Sequence, residues 1–429
     1  MSFIRSNYAS LLKILASLLL WQLSTLAWAE ISADKIFSER QDSVFQIRII
    51  EKKSGSQAAL GTGFFIADNL VATNYHVVSN EVLEPAKYRV EVERDDVDYE
   101  FKVITVDVVA DLAILKPLSE DFSGEPFELA PEAPKKGEVL YSLGNPHDLG
   151  MTVVQGNYNG LVDNKFWDRI HFSGAINSGM SGGPTVNQGS KVVGINVASS
   201  GNQIGFLVPV EKLAALIEKS RNLSPEYELL SDMALQIRST TDAMVDDVLA
   251  AEWTIEDMDK AKILGKTVPW FECWGNSEED EDRGILEIAK GCNNADNIFI
   301  SSSANTGFFE YEFAYFEAKN WPSSAFYRYL ARHTSSAYPG NRMTEEFVGN
   351  YECTNDIVQT HEKEGAIERR ISYCVRPYKT LPGLYDVFYM GVSQDKSNYG
   401  VMDHFTLAGV SQQASMKFLR KFVEVLQWQ

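Results

Sequence analysis

The hexapeptide Gly-Met-Ser-Gly-Gly-Pro at residues 179–184 constrains this chain more than any other segment of its sequence. A serine hydroxyl is a poor nucleophile at neutral pH unless a histidine takes its proton and backbone amides hold the oxyanion that forms. Gly179 permits a tight turn that presents amides outward, and the glycines after Ser181 keep side chains away from its hydroxyl. The segment predicts a nucleophile turn, and the alternative is a glycine-rich turn that carries an incidental serine.

Two upstream residues supply the partners that such a serine needs. His76 follows Ala-Thr-Asn-Tyr at 72–75, and Asp111 stands inside the apolar run 110–115. A carboxylate in an apolar run costs free energy unless it is paired, and a histidine N–H is its natural partner. That pairing would fix the tautomer of the imidazole and stabilise the imidazolium during proton transfer. Each residue taken alone is better explained as structural, but the order His, Asp, Ser with a glycine turn predicts a catalytic triad.

The motifs around these residues resemble those of the chymotrypsin-fold (trypsin-like) serine proteases. Within that group the resemblance is closest to the bacterial HtrA/Deg periplasmic proteases. The matching segments run in family order from Gly61 to Pro209: Gly-Thr-Gly-Phe at 61–64, Thr-Asn-Tyr-His-Val-Val at 73–78, Asp-Leu-Ala-Ile-Leu-Lys at 111–116, Leu-Gly-Asn-Pro at 143–146, Ala-Ile-Asn-Ser-Gly-Met-Ser-Gly-Gly-Pro at 175–184, Val-Gly-Ile-Asn at 193–196 and Gly-Phe-Leu-Val-Pro at 205–209. The resemblance covers less than half of the chain.

The resemblance implies a mainly β fold, a chymotrypsin-like double antiparallel β-barrel, and a role for each motif residue. His76 would be the general base, Asp111 would orient it, and Ser181 would be the nucleophile. The amides of Gly179 and Ser181 would form the oxyanion hole. The short strands separated by Gly, Asn and Asp turns over residues 44–210 are consistent with two such barrels.

Two features depart from the family pattern. Met180 stands where many HtrA proteases carry Asn and digestive proteases carry Asp. Methionine cannot pair with a newly released N-terminus, so activation by that route is not expected. No Gly-Leu-Gly-Phe loop of the PDZ type follows residue 220, so PDZ-gated regulation is not carried over to this chain.

The substrate pocket is only partly defined by the sequence. By the resemblance its floor should lie near Ala175, with Asn196, Val197 and Ala198 along one wall. No acidic residue is placed there to receive Arg or Lys, which disfavours cleavage after basic residues. A neutral pocket of modest size favours small or medium aliphatic residues, and one methylene in such a pocket discriminates by only about 1–3 kcal/mol.

The N-terminus has the composition of a secretory signal peptide. Arg5 and Lys13 precede an apolar stretch that ends in Ala-Trp-Ala at 27–29, which predicts cleavage after Ala29. The alternative, a retained membrane anchor, is disfavoured because polar residues interrupt the stretch before it reaches the length of a spanning helix. We therefore expect a periplasmic or secreted protein without a stable membrane span.

Charge and cysteine spacing limit the other functions and ligands. The 429 residues include 39 basic and 59 acidic residues, and removal of residues 1–29 would change the net charge from −20 to −22. Such a surface repels nucleic acid. The acidic runs at 91–100 and 278–282, of which the second is predicted as an exposed loop, lack the spacing of an EF-hand, and no Cys-x-x-Cys pair indicates zinc. We expect no metal and no cofactor, and protein or peptide substrates as partners.

The four cysteines predict disulfides in the second half of an exported chain. Three connectivities are open for Cys273, Cys292, Cys353 and Cys374. We favour Cys273–Cys292 and Cys353–Cys374, because each pair closes a local loop of similar length. A loop of that size would stabilise the fold by about 3 kcal/mol.

The domain organisation follows from these patterns. We expect a signal peptide (1–29), a trypsin-like domain (30–222), a helical linker (223–265) and a disulfide-containing α+β accessory domain (266–429). In the linker, a helix is predicted from Ser224 to about Ala251 and another over Thr254–Ile263. In the accessory domain, strands are predicted over Phe347–Cys353 among others, and a terminal helix over Ser415–Trp428. Phe-Glu-Cys at 271–273 and Tyr-Glu-Cys at 351–353 are consistent with a diverged duplication.

The sequence predicts an exported serine endopeptidase that acts through an acyl-enzyme. The alternative is a chaperone-like or peptide- or glycan-binding protein that keeps a protease fold. For that alternative, the alternating residues Phe309, Tyr311, Phe313 and Tyr315 would form a binding platform, whereas packing into a core is the better interpretation of their pattern.

Overall fold

The computed structural model of the chain describes residues 32–94, 97–199, 204–360 and 365–429. The predicted signal peptide, residues 1–29, lies outside these residues. In the part of the chain that the structure describes, no helix has the length and apolar character needed to cross a membrane.

Two closed six-stranded antiparallel barrels follow one another between residues 44 and 209. The first barrel consists of β1 (Val44–Glu51), β2 (Gln57–Ile66), β3 (Leu70–Thr73), β4 (Tyr88–Arg94), β5 (Val97–Asp107) and β6 (Leu112–Pro117), in the ring order β1-β2-β3-β6-β5-β4. The second consists of β7 (Val139–Gly144), β8 (Thr152–Leu161), β9 (Ile170–Phe172), β10 (Pro184–Val186), β11 (Val192–Ser199) and β12 (Gly205–Pro209), in the ring order β10-β11-β12-β9-β8-β7. The predicted double-barrel fold is confirmed.

The barrel strands form because their apolar residues alternate and can fill a closed interior. In β1, Ile47 and Ile49 are fully buried, whereas Arg48 between them faces outward to carboxylates. Phe45, also on β1, packs edge-on against Phe65 with ring centroids 5.2 Å apart. These aromatic contacts place the core of the first barrel behind the strands that lead to His76.

Four helices flank the barrels: α1 (Ala33–Arg40), α2 (Tyr75–Leu83), α3 (Val210–Arg221) and α4 (Leu229–Ala250). The predicted helix from Ser224 is present but begins later, at Leu229. The helix predicted over Thr254–Ile263 is wrong, because this segment is a hairpin of β13 (Ile255–Met258) and β14 (Ala261–Leu264). The hairpin forms because Ala261 and Ile263 alternate with the half-buried Lys262, and β14 also pairs with the end of the chain.

The C-terminal region is built on one seven-stranded antiparallel sheet of order β15-β16-β19-β23-β22-β21-β20. Its elements are β15 (Phe271–Asp280), β16 (Ile285–Asn294), β17 (Ile298–Ser301), β18 (Ala304–Thr306), β19 (Phe309–Ala318), α5 (Ser323–Ser336), β20 (Glu352–Gln359), β21 (Glu368–Pro377), β22 (Tyr385–Ser393), β23 (Tyr399–Val410), α6 (Gln412–Phe422) and β24 (Gln427–Trp428). β17 and β18 form a separate hairpin outside this sheet.

Three boundaries in this region differ from the sequence prediction. The terminal helix ends at Phe422. The strand β24 follows it and pairs with β14. Trp428 of β24 is held there by the contact of its ring with that of Tyr399, with centroids 5.0 Å apart. The strand predicted over Phe347–Cys353 begins only at Glu352. The acidic run 278–282, predicted as a loop, is the end of β15 and the following turn.

The two disulfides lie at opposite edges of the sheet, one at each edge. Cys273 pairs with Cys292 between β15 and β16, and Cys353 pairs with Cys374 between β20 and β21. In each case the two cysteines are directly opposite partners in the strand register. The connectivity is the one that the local spacing favoured.

The alternating aromatic residues of β19 face the interior of the C-terminal region. Phe309, Tyr311, Phe313 and Tyr315 are all at most 2% exposed. Helix α6 covers them, with the ring of Phe418 5.0 Å from that of Phe309. The preferred interpretation of these side chains as part of a core is confirmed, and the alternative of a binding platform is wrong, because the aromatic face is the core beneath α6.

Helix α4 joins the C-terminal region to the first barrel. Gln236 donates from Nε2 to the carbonyl of Val106 on β5 and accepts from the amide of Val108. One turn further on, Thr241 donates to the carbonyl of Gly409 on β23. Apolar side chains of the barrel, α4 and the C-terminal region form one continuous core. The boundaries at 222 and 265 stay a prediction, and the core crosses them.

Candidate active site

The segment that carries Ser181 is a turn between β9 and β10, and backbone hydrogen bonds hold it to both barrels. The amide of Thr62 on β2 donates to the carbonyl of Ser181 at 2.8 Å. The amide of Gly182 donates to the carbonyl of Asn196 on β11 at 2.9 Å. Gly179 and Gly182 have φ angles of +94° and +87°, which favour glycine strongly. The glycines of the hexapeptide are therefore required by the shape of the turn.

The Ser181 turn lies directly against the segment that leads to His76. A Cβ atom on Gly182 would overlap the hydroxyl of Thr73 and the carbonyl of Thr62, and it would lie 2.9 Å from the amide of Asn74. Asn74 is two residues before His76. The two predicted catalytic segments, which are separated by 105 positions in the chain, are thus in contact through backbone and small side chains.

His76 and Asp111 form the hydrogen-bonded pair that the sequence predicted. The Asp111 carboxylate lies 2.6 Å from Nδ1 of His76 and accepts the His76 backbone amide at 2.8 Å. Asp111 has a φ angle of +66°, and its carbonyl accepts from the Asn74 side chain at 2.7 Å. These contacts hold the carboxylate in place and direct the other ring nitrogen, Nε2, away from it.

The charge of Asp111 controls the pKa of His76. Burial alone would lower the pKa of the imidazole, but the negative charge of Asp111 and its hydrogen bond oppose burial and outweigh it. The pKa of His76 is therefore raised above its ordinary value of 6.5. A raised pKa stabilises the imidazolium that forms when the ring takes a proton.

We expect the reaction rate of Ser181 to fall as the pH is lowered. The midpoint of this fall should lie above the ordinary pKa of a histidine. In the predicted triad the neutral imidazole would be the base, and a raised pKa keeps the ring protonated to higher pH. The rate of labelling by a fluorophosphonate, measured between pH 5 and 9, should rise with a midpoint above 6.5. Asp111→Asn should move this midpoint to lower pH, because it removes the charge that favours the imidazolium.

Asp107→Asn is the matched control for this pH dependence. Asp107 caps the same loop by accepting the amide of Ala110, and it does not contact the imidazole. Its variant should keep the wild-type midpoint. A midpoint that is the same in Asp111→Asn and in the wild type would contradict the assignment of Asp111 as the partner of the base.

The hydroxyl of Ser181 and two neighbouring amides are available for a substrate. Within the described residues, no hydrogen bond joins Ser181 Oγ to the imidazole of His76, and the hydroxyl is partly exposed. The backbone amides of Gly179 and Ser181 donate to no backbone carbonyl of the residues that the structure describes. The carbonyl of Ser178 is turned away, because it accepts the amide of His147 at 2.9 Å.

The four predicted pocket residues lie in different environments in the structure. Ala175 is exposed beside the Ser181 turn, and Val197 lines a cavity next to His76. Ala198 lies on β11 opposite Phe206. Asn196 is fully buried and bonded on all sides, so its side chain does not form a wall of the pocket, and this part of the prediction is corrected.

Asn196 instead supports the Ser181 turn from inside the second barrel. Its amide nitrogen donates to the carbonyls of Leu143 and Met180, and its side-chain oxygen accepts the hydroxyls of Ser142 and Thr185. Thr62 supports the turn from the first barrel by donating to the carbonyl of Gly179 at 2.6 Å. Sequence reasoning missed both positioning roles, although both residues stand in the quoted motifs.

The C-terminal region also reaches this site. A cavity of about 590 Å³ beside His76 is lined by both barrels and by residues 296–299, which precede and begin β17. The ring of Phe299 lies 6.1 Å from the imidazole of His76. No local sequence pattern indicates this contact, because 223 positions separate the two residues. No group of metal-ligating side chains with suitable geometry occurs in the described ranges.

Comparisons with known proteins agree with this architecture. A family model described as a trypsin-like peptidase domain matches residues 61–195. The serine protease HTRA1 of Xenopus laevis is 34% identical over 180 residues, which is 38% of this chain and 37% of that protein. A probable periplasmic serine endoprotease, DegP-like, of Rickettsia prowazekii is 34% identical over 182 residues, 39% of this chain and 34% of that protein.

Among solved structures, a serine endoprotease from Yersinia pestis is 25% identical, with a TM-score of 0.39, over 44% of this chain and 67% of that chain. The chain spans little more than a third of the length of the two curated relatives described above. The residues that the family model matches lie within the double barrel, which contains His76, Asp111 and Ser181. Residues 61–195 therefore match the model of a trypsin-like peptidase domain, and the sequence relatives of this chain include proteins named as HTRA1 and DegP-like serine proteases.

Proposed function

We propose that this chain is an exported serine endopeptidase that acts through Ser181, His76 and Asp111. The observation that carries the proposal is the contact between the Ser181 turn and the segment of His76, together with the 2.6 Å bond from Asp111 to the imidazole. This arrangement leaves Nε2 as the only ring nitrogen free to accept a proton. In serine hydrolases without substrate, the bond from hydroxyl to imidazole is often long and shortens when substrate binds.

The reaction proceeds in two halves. Nε2 of His76 takes the proton of Ser181 as Oγ forms a bond to the carbonyl carbon of the substrate, and the carbonyl electrons move to its oxygen. The amides of Gly179 and Ser181 donate to that oxyanion. When the oxyanion collapses, the C–N bond breaks and His76 gives its proton to the leaving amine. Water then hydrolyses the acyl-enzyme by the same steps.

The proposed substrates are proteins or peptides with a small or medium aliphatic residue before the scissile bond. No carboxylate stands among the pocket positions 175 and 196–198, so a basic side chain would have no counter-charge there. The exposed Ala175 and the partly buried Val197 present an apolar surface of modest size. These features support a neutral subsite with loose selectivity.

Export is supported by the two disulfides, which persist in oxidising compartments. Both are on solvent-accessible edge hairpins of the C-terminal sheet, where a reducing cytosol would open them. The Rickettsia relative is named as periplasmic. A periplasmic or secreted location is therefore part of the proposal.

An active-site probe tests the proposal directly. The purified mature protein should react covalently with a fluorophosphonate at Ser181, because only an activated hydroxyl displaces the fluoride. Peptide mass mapping should place the label on residue 181. Ser178→Ala, three residues away in the same loop, is the control and should label as the wild type does.

The alternative function is a binding protein that keeps the protease fold but does not use the triad. It predicts no label on a folded protein, together with retention of an unfolded protein without cleavage. Absence of label from wild-type protein with an intact unfolding transition would therefore overturn the proposed function.

A further inference from the structure

The C-terminal region places one hairpin next to the imidazole of His76. Residues of β17 pack on α2, the helix that contains His76, and Tyr75 fixes the register. The fully buried hydroxyl of Tyr75 donates to the carbonyl of Ile300 at 2.8 Å. Ile298 and Ile300 are buried in the same core as the first barrel. The hairpin is therefore held on the peptidase domain by a specific hydrogen bond and by buried apolar surface.

Phe299 occupies the opposite face of the same strand. Because side chains alternate along a strand, the half-buried Phe299 ring lies on the other face of β17 from its two fully buried neighbours, at the margin of the same core. The ring lies edge-on to His76, with centroids 6.1 Å apart and planes at 77°, and 6.3 Å from the ring of Tyr75. It stays partly exposed to the cavity. A substrate side chain that lies over the imidazole would therefore meet Phe299.

The cavity beside His76 has three walls of different origin. The first barrel contributes Val108 and Val109, and the second contributes Val197 and Phe206. Residues 296–299 form the third wall. Each wall thus contributes apolar side chains, beside polar ones such as Asp296 and Asn297, and a lining of this kind can receive an apolar substrate side chain.

Lys165, at the edge of the cavity, is paired with carboxylates of the C-terminal region. Lys165 lies 2.9 Å from Glu272 and 3.8 Å from Asp296, both of which belong to the C-terminal region. Burial lowers the pKa of Arg169, while the charges of Asp111 and Asp296 oppose that change. An acidic substrate side chain would therefore compete with Glu272 and Asp296 for Lys165, whereas an apolar one would leave these pairs intact.

The second-barrel wall also depends on the C-terminal region. The loop between β8 and β9 contributes Lys165 and Arg169 to the cavity, and Phe166 in this loop packs edge-on against Trp270 at 5.3 Å. The C-terminal region thus supplies one wall and braces another. This arrangement makes it a structural part of the substrate cleft.

We propose that Phe299 is a specificity-determining residue, which selects an apolar substrate side chain in the subsite beside His76. The inference rests on the proposed function and names the subsite that the C-terminal region completes. The substrate residue concerned is the one second from the scissile bond on the acyl side, because it is the neighbour of the residue in the pocket. An apolar side chain at this position would bury apolar surface against Phe299 and so remove that surface from water.

The test compares peptides that differ only at this second residue, with glycine or leucine, and with valine at the residue before the scissile bond. In the wild-type full-length protein, kcat/KM should be higher for leucine than for glycine. Phe299→Ala should reduce this leucine-to-glycine ratio by about 10-fold, the scale of losing apolar contact in a pocket. Phe299→Gln, which keeps length but adds a polar group, should reduce it similarly.

Phe388→Ala is the matched control. Phe388 is a partly buried phenylalanine of the same region, on β22, and its ring neighbour is His404. Its loss should leave the ratio unchanged. Fluorophosphonate labelling of every variant separates the two hypotheses, because Phe299→Ala should still label at Ser181. A wild-type ratio in either folded Phe299 variant would overturn this inference, whereas absence of label from the wild type would overturn the proposed function.

Discussion

Ser181→Ala is expected to reduce turnover of an unfolded protein substrate by at least about 10³-fold. Without Oγ no acyl-enzyme forms, and the hydrolysis that remains comes from binding and from the oxyanion-stabilising amides alone. The substitution removes a single oxygen from a side chain that makes no hydrogen bond within the described residues. The variant should therefore keep the unfolding temperature of the wild type. Initial rates with fluorescently labelled casein measure the effect.

Two variants make this result specific to the nucleophile. Ser178→Ala removes the same atom from the exposed neighbour in the same loop and should keep full activity. His76→Ala should lose activity to a similar extent as Ser181→Ala, and the double variant should be no worse, because residues that act as one unit are not additive. Activity of Ser181→Ala within 10-fold of the wild type would contradict the triad.

Arg369→Met is expected to destabilise the protein by about 3–5 kcal/mol, the cost of leaving one member of a buried ion pair alone. Arg369 on β21 lies 2.5 Å from Asp403 on β23, and both side chains are fully buried. Arg369 also donates to the carbonyl of Val423 after α6, and Tyr389 donates to the same carboxylate at 3.1 Å. Its loss leaves a buried charge without a cation, which urea unfolding followed by tryptophan fluorescence would detect.

The neighbouring residue provides a matched control for this effect. Arg370→Met changes the same residue type on the exposed face of β21 and should cost no more than about 0.5 kcal/mol. Arg369→Met combined with Asp403→Asn should recover part of the lost stability, because the asparagine is neutral and still accepts from Tyr389. Equal midpoints for Arg369→Met and Arg370→Met would show that the buried pair has no net role.

The double barrel and its candidate site could be predicted largely from local motifs. Glycines at 179 and 182, an acid in an apolar run and a histidine after a small-residue segment each have a local physical reason. The structure shows those reasons: positive φ at both glycines, and a carboxylate 2.6 Å from an imidazole. Disulfide connectivity was also predictable, because each pair closes one hairpin at opposite positions of its register.

Other predictions failed where a distant segment decided the local structure. Residues 254–263 suggested a helix, but β14 pairs with β24 at the end of the chain and forms a strand. Asn196 was assigned to the pocket wall by its place in a motif, yet its amide is bonded to Leu143 and Met180 inside the barrel. Neither pairing leaves a trace in the nearby sequence.

The amino-acid sequence alone determined the double barrel and the two disulfides and predicted the three residues of the proposed triad, because each depends on backbone conformation or on pairing between short segments. Tertiary structure alone decided that the C-terminal region joins the active site. Phe299 reaches His76 because β17 packs on α2, with the hydroxyl of Tyr75 bonded to the carbonyl of Ile300. Contacts between surfaces so far apart in the chain depend on how whole elements pack, and no local pattern encodes them.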